Sequence, residues 1–159
     1  MKTNLTFCIL ALVALFSSVS CSEDGAVTPG SAKDPAGAVI ANIGNNSDRY
    51  LKVGADGNNS GFYLYCDSSN NISAEGGSIV MVGMGNGLGN IKTSSIPTTG
   101  WADKATALEG YLYILRFERN KKIYYFGLQV VNTRTSSSDH GIIGYTVKYC
   151  QFSLEDGWL

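Results

Sequence analysis

The chain has 159 residues, and its 12 Lys and Arg against 13 Asp and Glu give a formal net charge of −1 at pH 7. The sequence contains no run of basic residues, so we exclude nucleic acid as a partner. Residues 36–159 are enough chain for one domain with its own core, and no internal repeat divides them.

Residues 1–20 have the three parts of a bacterial export signal. Lys2 supplies the positive charge, residues 7–16 are apolar, and small serines lead to Cys21. The apolar stretch is shorter than the roughly 20 residues that a membrane-spanning helix needs. Because a cysteine directly follows the small residue Ser20, we predict a lipoprotein signal peptide that is cleaved before Cys21, with lipid then attached to the Cys21 thiol. The alternative is an ordinary secretory signal cleaved near the same place.

Residues 21–35 form the predicted tether. They combine Gly, Pro, Ser and charged residues without hydrophobic periodicity, and a flexible coil of this length reaches roughly 20 Å. The acidic run Ser22-Glu23-Asp24 resembles the export signal of Bacteroidetes surface lipoproteins. We therefore expect an outer-membrane location with the domain at the cell surface, held in the membrane by the lipid on Cys21. A plain acidic linker, with the domain facing the periplasm, is the alternative.

The remainder, residues 36–159, is predicted to be an all-β domain. Its β-branched and aromatic residues occur in short runs separated by Gly, Asn and Ser, which is the pattern of strands and turns. Many short strands with glycine-rich connections indicate a single antiparallel β-sandwich or barrel-like domain, and the sequence alone does not choose between the two. The predicted strands are 37–43, 49–53, 62–66, 78–84, 111–118, 123–131 and 142–152.

The stretch from residue 100 to residue 131 supports finer predictions. One face of strand 111–118 is aromatic and apolar, while the other face becomes charged toward its end. Strand 123–131 is apolar on both faces, which predicts a central place in a sheet. Asn120-Lys121 between these strands predicts a tight hairpin. Residues 100–108 contain a weak helix candidate, but the following glycine and the β-rich flanks favour a loop and a short strand.

Six stretches between residues 34 and 149 occur together in a recognisable order and spacing. They are 34–39 (DPAGAV), 77–83 (GSIVMVG), 87–91 (GLGNI), 96–102 (IPTTGWA), 110–113 (GYLY) and 141–149 (GIIGYTVKY). On these stretches the chain, from about Asp34 to Phe152, resembles a family of small Bacteroides lipoproteins catalogued as a domain of unknown function. The resemblance implies a surface-anchored all-β module, and it implies no activity.

Two cysteines, Cys66 and Cys150, lie in the predicted domain, and the compartment of an exported protein permits their oxidation. A disulfide between them is one interpretation. Two buried free thiols that pack as small hydrophobic side chains are the other. The family resemblance leads us to expect a polar residue in place of Cys150, which favours free thiols.

No motif for catalysis, cofactor binding or a metal site stands out in the sequence. The glycine-rich stretch 83–89 is followed by neither a predicted helix nor the Lys-Ser/Thr pair of a phosphate-binding loop, so we expect a simple loop. The single histidine, His140, lies in a stretch that predicts a solvated turn. The carboxylates are scattered rather than paired. We therefore predict that the protein is not an enzyme and holds no cofactor or metal; calcium binding by Asp48, Asp56 and Asp67 is an alternative.

Aromatic residues are the remaining candidates for ligand binding. Trp101 lies in a predicted loop, and Tyr63 and Tyr65 alternate with apolar neighbours on their strand, so one of the two sets faces water. Exposed aromatic side chains on a rigid β scaffold suit stacking on sugars or contact with another protein. The alternative for Trp101 is that it closes one end of the core. We predict a non-catalytic module that binds a glycan, a peptide or a partner protein; the alternative is a structural or accessory envelope protein with no soluble ligand.

Overall fold

The computed structural model describes residues 32–159. The predicted signal peptide, the lipidated Cys21 and the tether up to residue 31 lie outside the described residues. Within the described part, no helix has the length and apolar character that crossing a membrane requires.

Residues 32–159 form two antiparallel sheets that pack face to face. The strands are β1 (Val39–Gly44), β2 (Tyr50–Ala55), β3 (Gly61–Cys66), β4 (Asn71–Ala74), β5 (Gly77–Met84), β6 (Ala105–Thr106), β7 (Tyr111–Arg119), β8 (Lys122–Thr135), β9 (Ile142–Ser153) and β10 (Gly157–Trp158). The large sheet has the order β1-β9-β8-β7-β5, with β10 beside β9, and the small sheet has the order β2-β3-β4-β6. Because the two sheets are separate, the domain is a β-sandwich rather than a closed barrel.

All seven predicted strands form, as β1, β2, β3, β5, β7, β8 and β9. β8 lies between β7 and β9, which confirms the predicted central position, and it continues to Thr135, beyond the predicted end at residue 131. The sequence pattern missed β4 and β10, because strands this short have too few alternating residues to differ from a loop. β6 agrees with the loop and short strand expected for residues 100–108.

The hairpin between β7 and β8 has the predicted tight turn. Arg119 pairs with Lys122 across it, and the two residues between them, Asn120 and Lys121, have positive φ angles of 51° and 62°. Two central residues in this conformation make a type I′ turn, whose twist matches the twist of the flanking strands. The turn therefore sets the register of β7 against β8 from its closed end.

The main core lies between the two sheets. β7 turns Tyr113, Leu115 and Phe117 into it, as the alternation predicts, and β3 contributes Phe62 and Leu64 from the small sheet. All five side chains are at most 2% exposed. The ring centroids of Phe62 and Phe117 are 4.9 Å apart, a separation at which aromatic pairs add about 0.5–1.5 kcal/mol beyond their buried area.

A second apolar cluster covers part of the outer face of the large sheet. Its buried members are Val80, Leu88, Ile91, Leu112, Ile114, Cys150 and Phe152. Trp158 of β10 packs edge-on against Phe152, with 5.2 Å between the ring centroids, and Tyr125 of β8 stacks on the same phenylalanine at 5.6 Å. The large sheet is therefore buried on both faces here, which explains why β8 lacks a polar face along its first half.

The two cysteines of the domain are free, and both are buried. Cys66 lies in the main core, whereas Cys150 lies in the outer cluster, so the large sheet separates the two thiols. The disulfide considered between Cys66 and Cys150 is therefore wrong, and the free-thiol interpretation agrees with the structure. Burial raises the pKa of both thiols, that of Cys66 to about 11, so both are neutral at pH 7.

Candidate functional site

Three tyrosines lie together on the outer face of the small sheet, and we call this surface the tyrosine face. Alternation along β3 directs Phe62 and Leu64 into the main core and leaves Tyr63 and Tyr65 on the outside. Tyr50 at the start of β2 completes the set. Tyr50 is 57% exposed and Tyr63 is 36% exposed, so their rings are accessible to a ligand.

The strand register sets the geometry of the tyrosine face. Tyr50 lies directly opposite Tyr65, and their ring centroids are 4.9 Å apart with the planes tilted by 41°. Tyr63 follows two positions along β3, roughly 7 Å away in the strand direction, and it lies opposite Lys52. Ser73 of β4 lies opposite Tyr65 on the other side. The result is a cluster of three aromatic rings bordered by an amine and a hydroxyl.

Two turns of the same design hold the ends of β3. They start at Asp56 and Asp67, and in each the aspartate carboxylate accepts hydrogen bonds of 2.9 Å from two backbone amides of its own turn. The fourth residue of each turn, Asn59 or Asn70, has a φ of 62° or 63°, a conformation that asparagine tolerates. The whole length of β3 separates the two carboxylates, so Asp56 and Asp67 do not contribute to one site.

A contact from the large sheet fixes the hairpin of β2 and β3 in place. Arg119, at the end of β7, donates from Nη1 to the carbonyl of Gly61 at 3.1 Å and lies 3.8 Å from Oδ2 of Asp56. Its guanidinium also lies over the ring of Phe62, 4.7 Å from the centroid. The tyrosine face is thus carried on a hairpin that is tied to the core, which reduces the entropy lost when a ligand binds.

Trp101 does not belong to the tyrosine face. Its half-buried ring packs against the cluster on the outer face of the large sheet, on the other side of the sandwich. The indole N–H donates to the carbonyl of Pro97 at 2.8 Å. The three predicted ligand-binding residues therefore do not form one site. The alternative interpretation, in which Trp101 is a packing residue that closes one end of the core, is close to what the structure has. Trp101 covers the outer cluster, however, rather than an end of the main core.

The glycine-rich stretch 83–89 forms a loop, and the chain itself supplies the anion that this loop binds. Oδ1 of Asp34 accepts from the amide of Leu88 at 2.9 Å, while Oδ2 pairs with Lys148. Burial on its own raises the pKa of Asp34, but these two contacts outweigh it and the pKa is lowered. A Cβ at Gly87 would come within 2.4 Å of a backbone carbonyl in the segment before β1. The glycine thus permits close approach of the chain's own backbone.

His140 lies in the exposed turn between β8 and β9, which agrees with the predicted solvated turn. The neighbouring Asp139 accepts a hydrogen bond from the amide of Gly141 at 3.0 Å, and this bond lowers the pKa of Asp139. His140 has a φ of 55° and makes no hydrogen bond to a serine within the described residues. No group of three or more His, Cys, Asp or Glu side chains between residues 32 and 159 is placed to hold a metal ion.

A cleft of about 530 Å³ opens at one end of the large sheet, and we call it the end cleft. It is lined by Asn42, Gly44, Asn46, Ser47, Asp48, Arg134 and Ile143. These residues come from β1, the turn after β1, the end of β8 and the start of β9. They meet because β1 and β8 both pair with β9.

Sequence reasoning missed Tyr50 and the end cleft for different reasons. Pairing the predicted strands 49–53 and 62–66 as a hairpin already brings Tyr50 near Tyr65, so a signal for that residue was present. The residues of the end cleft, by contrast, carry no local motif. Asn42 and Arg134 are far apart in the chain, and only the strand order of the large sheet brings them to one cleft.

Comparisons with protein-family models, with curated proteins and with solved structures find no match to this chain. The resemblance to the Bacteroides lipoprotein family therefore stays a prediction. The two candidate sites, the tyrosine face and the end cleft, are therefore identified from their geometry.

Proposed function

We propose that this protein is a non-catalytic, lipid-anchored binding module of the bacterial cell envelope, and that its tyrosine face binds a glycan. The observation that carries the proposal is the cluster of Tyr50, Tyr63 and Tyr65 on the outer face of the small sheet. A tyrosine ring offers an apolar face to the C–H groups of a sugar and a hydroxyl to its polar groups. Because the side chain has few rotatable bonds, ordering it on binding costs little entropy.

The anchor and the location belong to the same proposal. Cys21 behind an export signal supports lipid attachment, and the acidic run after it supports display on the outer membrane. We expect a Cys21→Ser variant to leave the membrane fraction, and we expect external protease to digest the wild-type domain on intact cells. Digestion that occurs only after lysis would place the domain on the periplasmic side.

The variants Tyr65→Ala and Tyr50→Ala test the tyrosine face. A screen of printed glycans first identifies a ligand for the wild-type protein, and isothermal titration then measures the affinity of each variant for it. Losing one stacked ring should weaken binding by about fivefold to tenfold. Because Tyr50 is exposed and Tyr65 is half-buried outside the main core, the free energy of unfolding should fall by only about 1 kcal/mol or less.

Met84→Ala provides the control for these variants. Met84 is 72% exposed and lies on the large sheet, away from the tyrosine face. It should bind the glycan as the wild type does. The proposal fails if no glycan binds the wild-type protein, or if Tyr65→Ala and Tyr50→Ala bind as tightly as Met84→Ala.

A structural or accessory role in the envelope, without a soluble ligand, is the second candidate. It is favoured by the exposed side chains of Met81, Val82 and Met84 on β5, which is an edge strand of the large sheet. An edge strand with apolar side chains is a surface on which another chain can dock. Cross-linking in intact cells separates the two roles: loss of a cross-linked partner in Met84→Asp, but not in Tyr65→Ala, would favour this second candidate.

A further inference from the structure

The end cleft differs from the tyrosine face in both position and chemistry. Its volume of about 530 Å³ lies within the range of roughly 300–1,000 Å³ that is typical of small-molecule sites. Its walls combine one arginine, one aspartate, two asparagines and a serine with the apolar side chain of Ile143, which is 40% exposed. Such walls suit a polar ligand that also has an apolar side.

The turn that forms one wall of the end cleft is held in place before any ligand binds. The amide of Gly44 donates to the carbonyl of Asp48 at 3.1 Å and closes the turn. The buried Asn45 ties the same turn to β9, since its Nδ2 donates to the carbonyl of Ile142 at 2.7 Å. Polar groups that already occupy fixed positions lose less entropy on binding.

Arg134 is half-buried in the end cleft, and its guanidinium has no hydrogen-bond or ion-pair partner among residues 32–159. The other arginines differ from it, since Arg49, Arg116 and Arg119 each donate a hydrogen bond within the chain. A guanidinium in this position has lost part of its hydration without gaining a partner. Its planar fork matches a carboxylate, which can accept two parallel hydrogen bonds. Arg134 is therefore placed to bind an anionic group of a ligand.

The side chains around Arg134 limit the kinds of anion that the end cleft can bind. The side chains of Asn46, Ser47 and Asp48 make no hydrogen bond within the described residues. Asn42 uses only its Oδ1, which accepts from a threonine hydroxyl at 2.8 Å. The Asp48 carboxylate repels a doubly charged phosphate, but it accepts hydrogen bonds from hydroxyl groups. The guanidinium of Arg134 can pair with a carboxylate, while Asp48 and the two asparagines of the lining can bond to hydroxyl groups. A ligand with one carboxylate and several hydroxyls therefore fits this lining.

We propose that the end cleft binds an acidic saccharide of the uronic acid class. The carboxylate of the sugar pairs with Arg134, its hydroxyl groups bond to Asp48 and the two asparagines, and the C–H face of its ring lies against Ile143. The end cleft belongs to the large sheet and shares no residue with the tyrosine face. The proposal therefore stands whether or not the tyrosine face binds a glycan.

Isothermal titration with galacturonate tests this proposal, and the methyl ester of the same sugar serves as its neutral match. The wild-type protein should bind the acid about tenfold or more tightly than the ester, because the ester cannot pair with the guanidinium. Arg134→Gln should lose the preference for the acid. Arg116→Gln is the matched control, since Arg116 pairs with Glu118 outside the end cleft, and it should bind as the wild type does.

Two further variants keep the test decisive if Arg134→Gln fails to fold. Arg134→Lys keeps the charge but not the planar fork, so it should bind the acid more weakly than the wild type does. Asp48→Asn suits the positive φ of 55° at that position, and it should weaken binding because a neutral amide oxygen accepts hydrogen bonds from sugar hydroxyls less strongly than an ionised carboxylate does. The proposal is overturned by equal affinity for acid and ester, by no binding of either, or by unchanged binding in folded Arg134 variants. It is also overturned if glycylglycine binds more tightly than galacturonate, because Asp48 would then hold an ammonium group.

Discussion

The hydroxyl of Tyr113 is a sensitive point of the fold, and Tyr113→Phe tests how the small sheet is closed at β6. The ring is fully buried in the main core. Its hydroxyl donates to the carbonyl of Thr106 at 2.8 Å and accepts from the amide of Leu108 at 2.9 Å. Because β6 is only two residues long, these two bonds from the large sheet hold the segment that carries it.

The expected magnitude follows from the two lost hydrogen bonds. Phenylalanine fills the same space without the hydroxyl, so no cavity forms. Each lost hydrogen bond lowers stability by about 0.5–1.5 kcal/mol, and the two together should lower the free energy of unfolding by about 2 kcal/mol. For a domain of this size that corresponds to a fall in Tm of roughly 5–10 °C.

Urea unfolding of Tyr113→Phe, together with hydrogen exchange at the amide of Leu108, measures the effect. Tyr111→Phe is the matched control: Tyr111 lies on the same strand and the same side, and its hydroxyl makes no hydrogen bond within the described residues. Its stability should change by about 0.5 kcal/mol or less. A loss in Tyr113→Phe no larger than that of the control, with the Leu108 amide still protected, would refute the argument.

Two further predictions concern the outer cluster and the response to pH. Gly127→Ala should destabilise the domain by about 1–3 kcal/mol and shift tryptophan fluorescence, because the added Cβ would lie 2.5 Å from the ring of Trp158. Gly57→Ala is the control: its added Cβ would meet nothing within 4 Å, so the free energy of unfolding should stay unchanged. Equal behaviour of the two variants in urea unfolding would contradict the packing described. Burial raises the pKa of Cys66 from 9.0 to about 11 and that of Tyr145 from 10.0 to about 12. The contribution of these neutral groups to the free energy of unfolding should therefore be fully present below pH 9 and should be lost as pH rises toward 12. Cys66→Ala should remove the part of this fall that begins near pH 9, and a stability that stays flat from pH 9 to 11 in the wild type would contradict the burial of these groups.

Local alternation accounts for most of what could be predicted about the fold. β3 and β7 are recognisable because every second residue is apolar or aromatic, and such a period places Tyr63 and Tyr65 on one side without knowledge of the partner strands. The turn at Asn120-Lys121 is equally local, since it depends on two backbone conformations. β4 escaped prediction because its sequence, NISA, has two apolar residues only, and its strand conformation depends on pairing with β3.

The roles of the cysteines and of Trp101 depended on which face of which sheet each side chain meets. Cys66 and Cys150 lie in predicted strands, yet a disulfide between them could be decided only when the large sheet was seen to separate them. Trp101 lies in a loop whose position over the outer cluster no short-range pattern encodes. Layering of this kind results from burying apolar surface against distant parts of the chain.

The sequence by itself determined the all-β class, the position of seven strands and the placement of Tyr63 and Tyr65 on one face of their strand, because these depend on interactions between near neighbours. It also supplies the whole basis for the predicted anchor at Cys21, which lies outside the described residues. The tertiary structure decided that the domain is a sandwich, that the thiols are free, and that Tyr50 joins the tyrosine face. It alone brought Arg134 to the end cleft, since strand order is set by long-range packing that a local pattern does not contain.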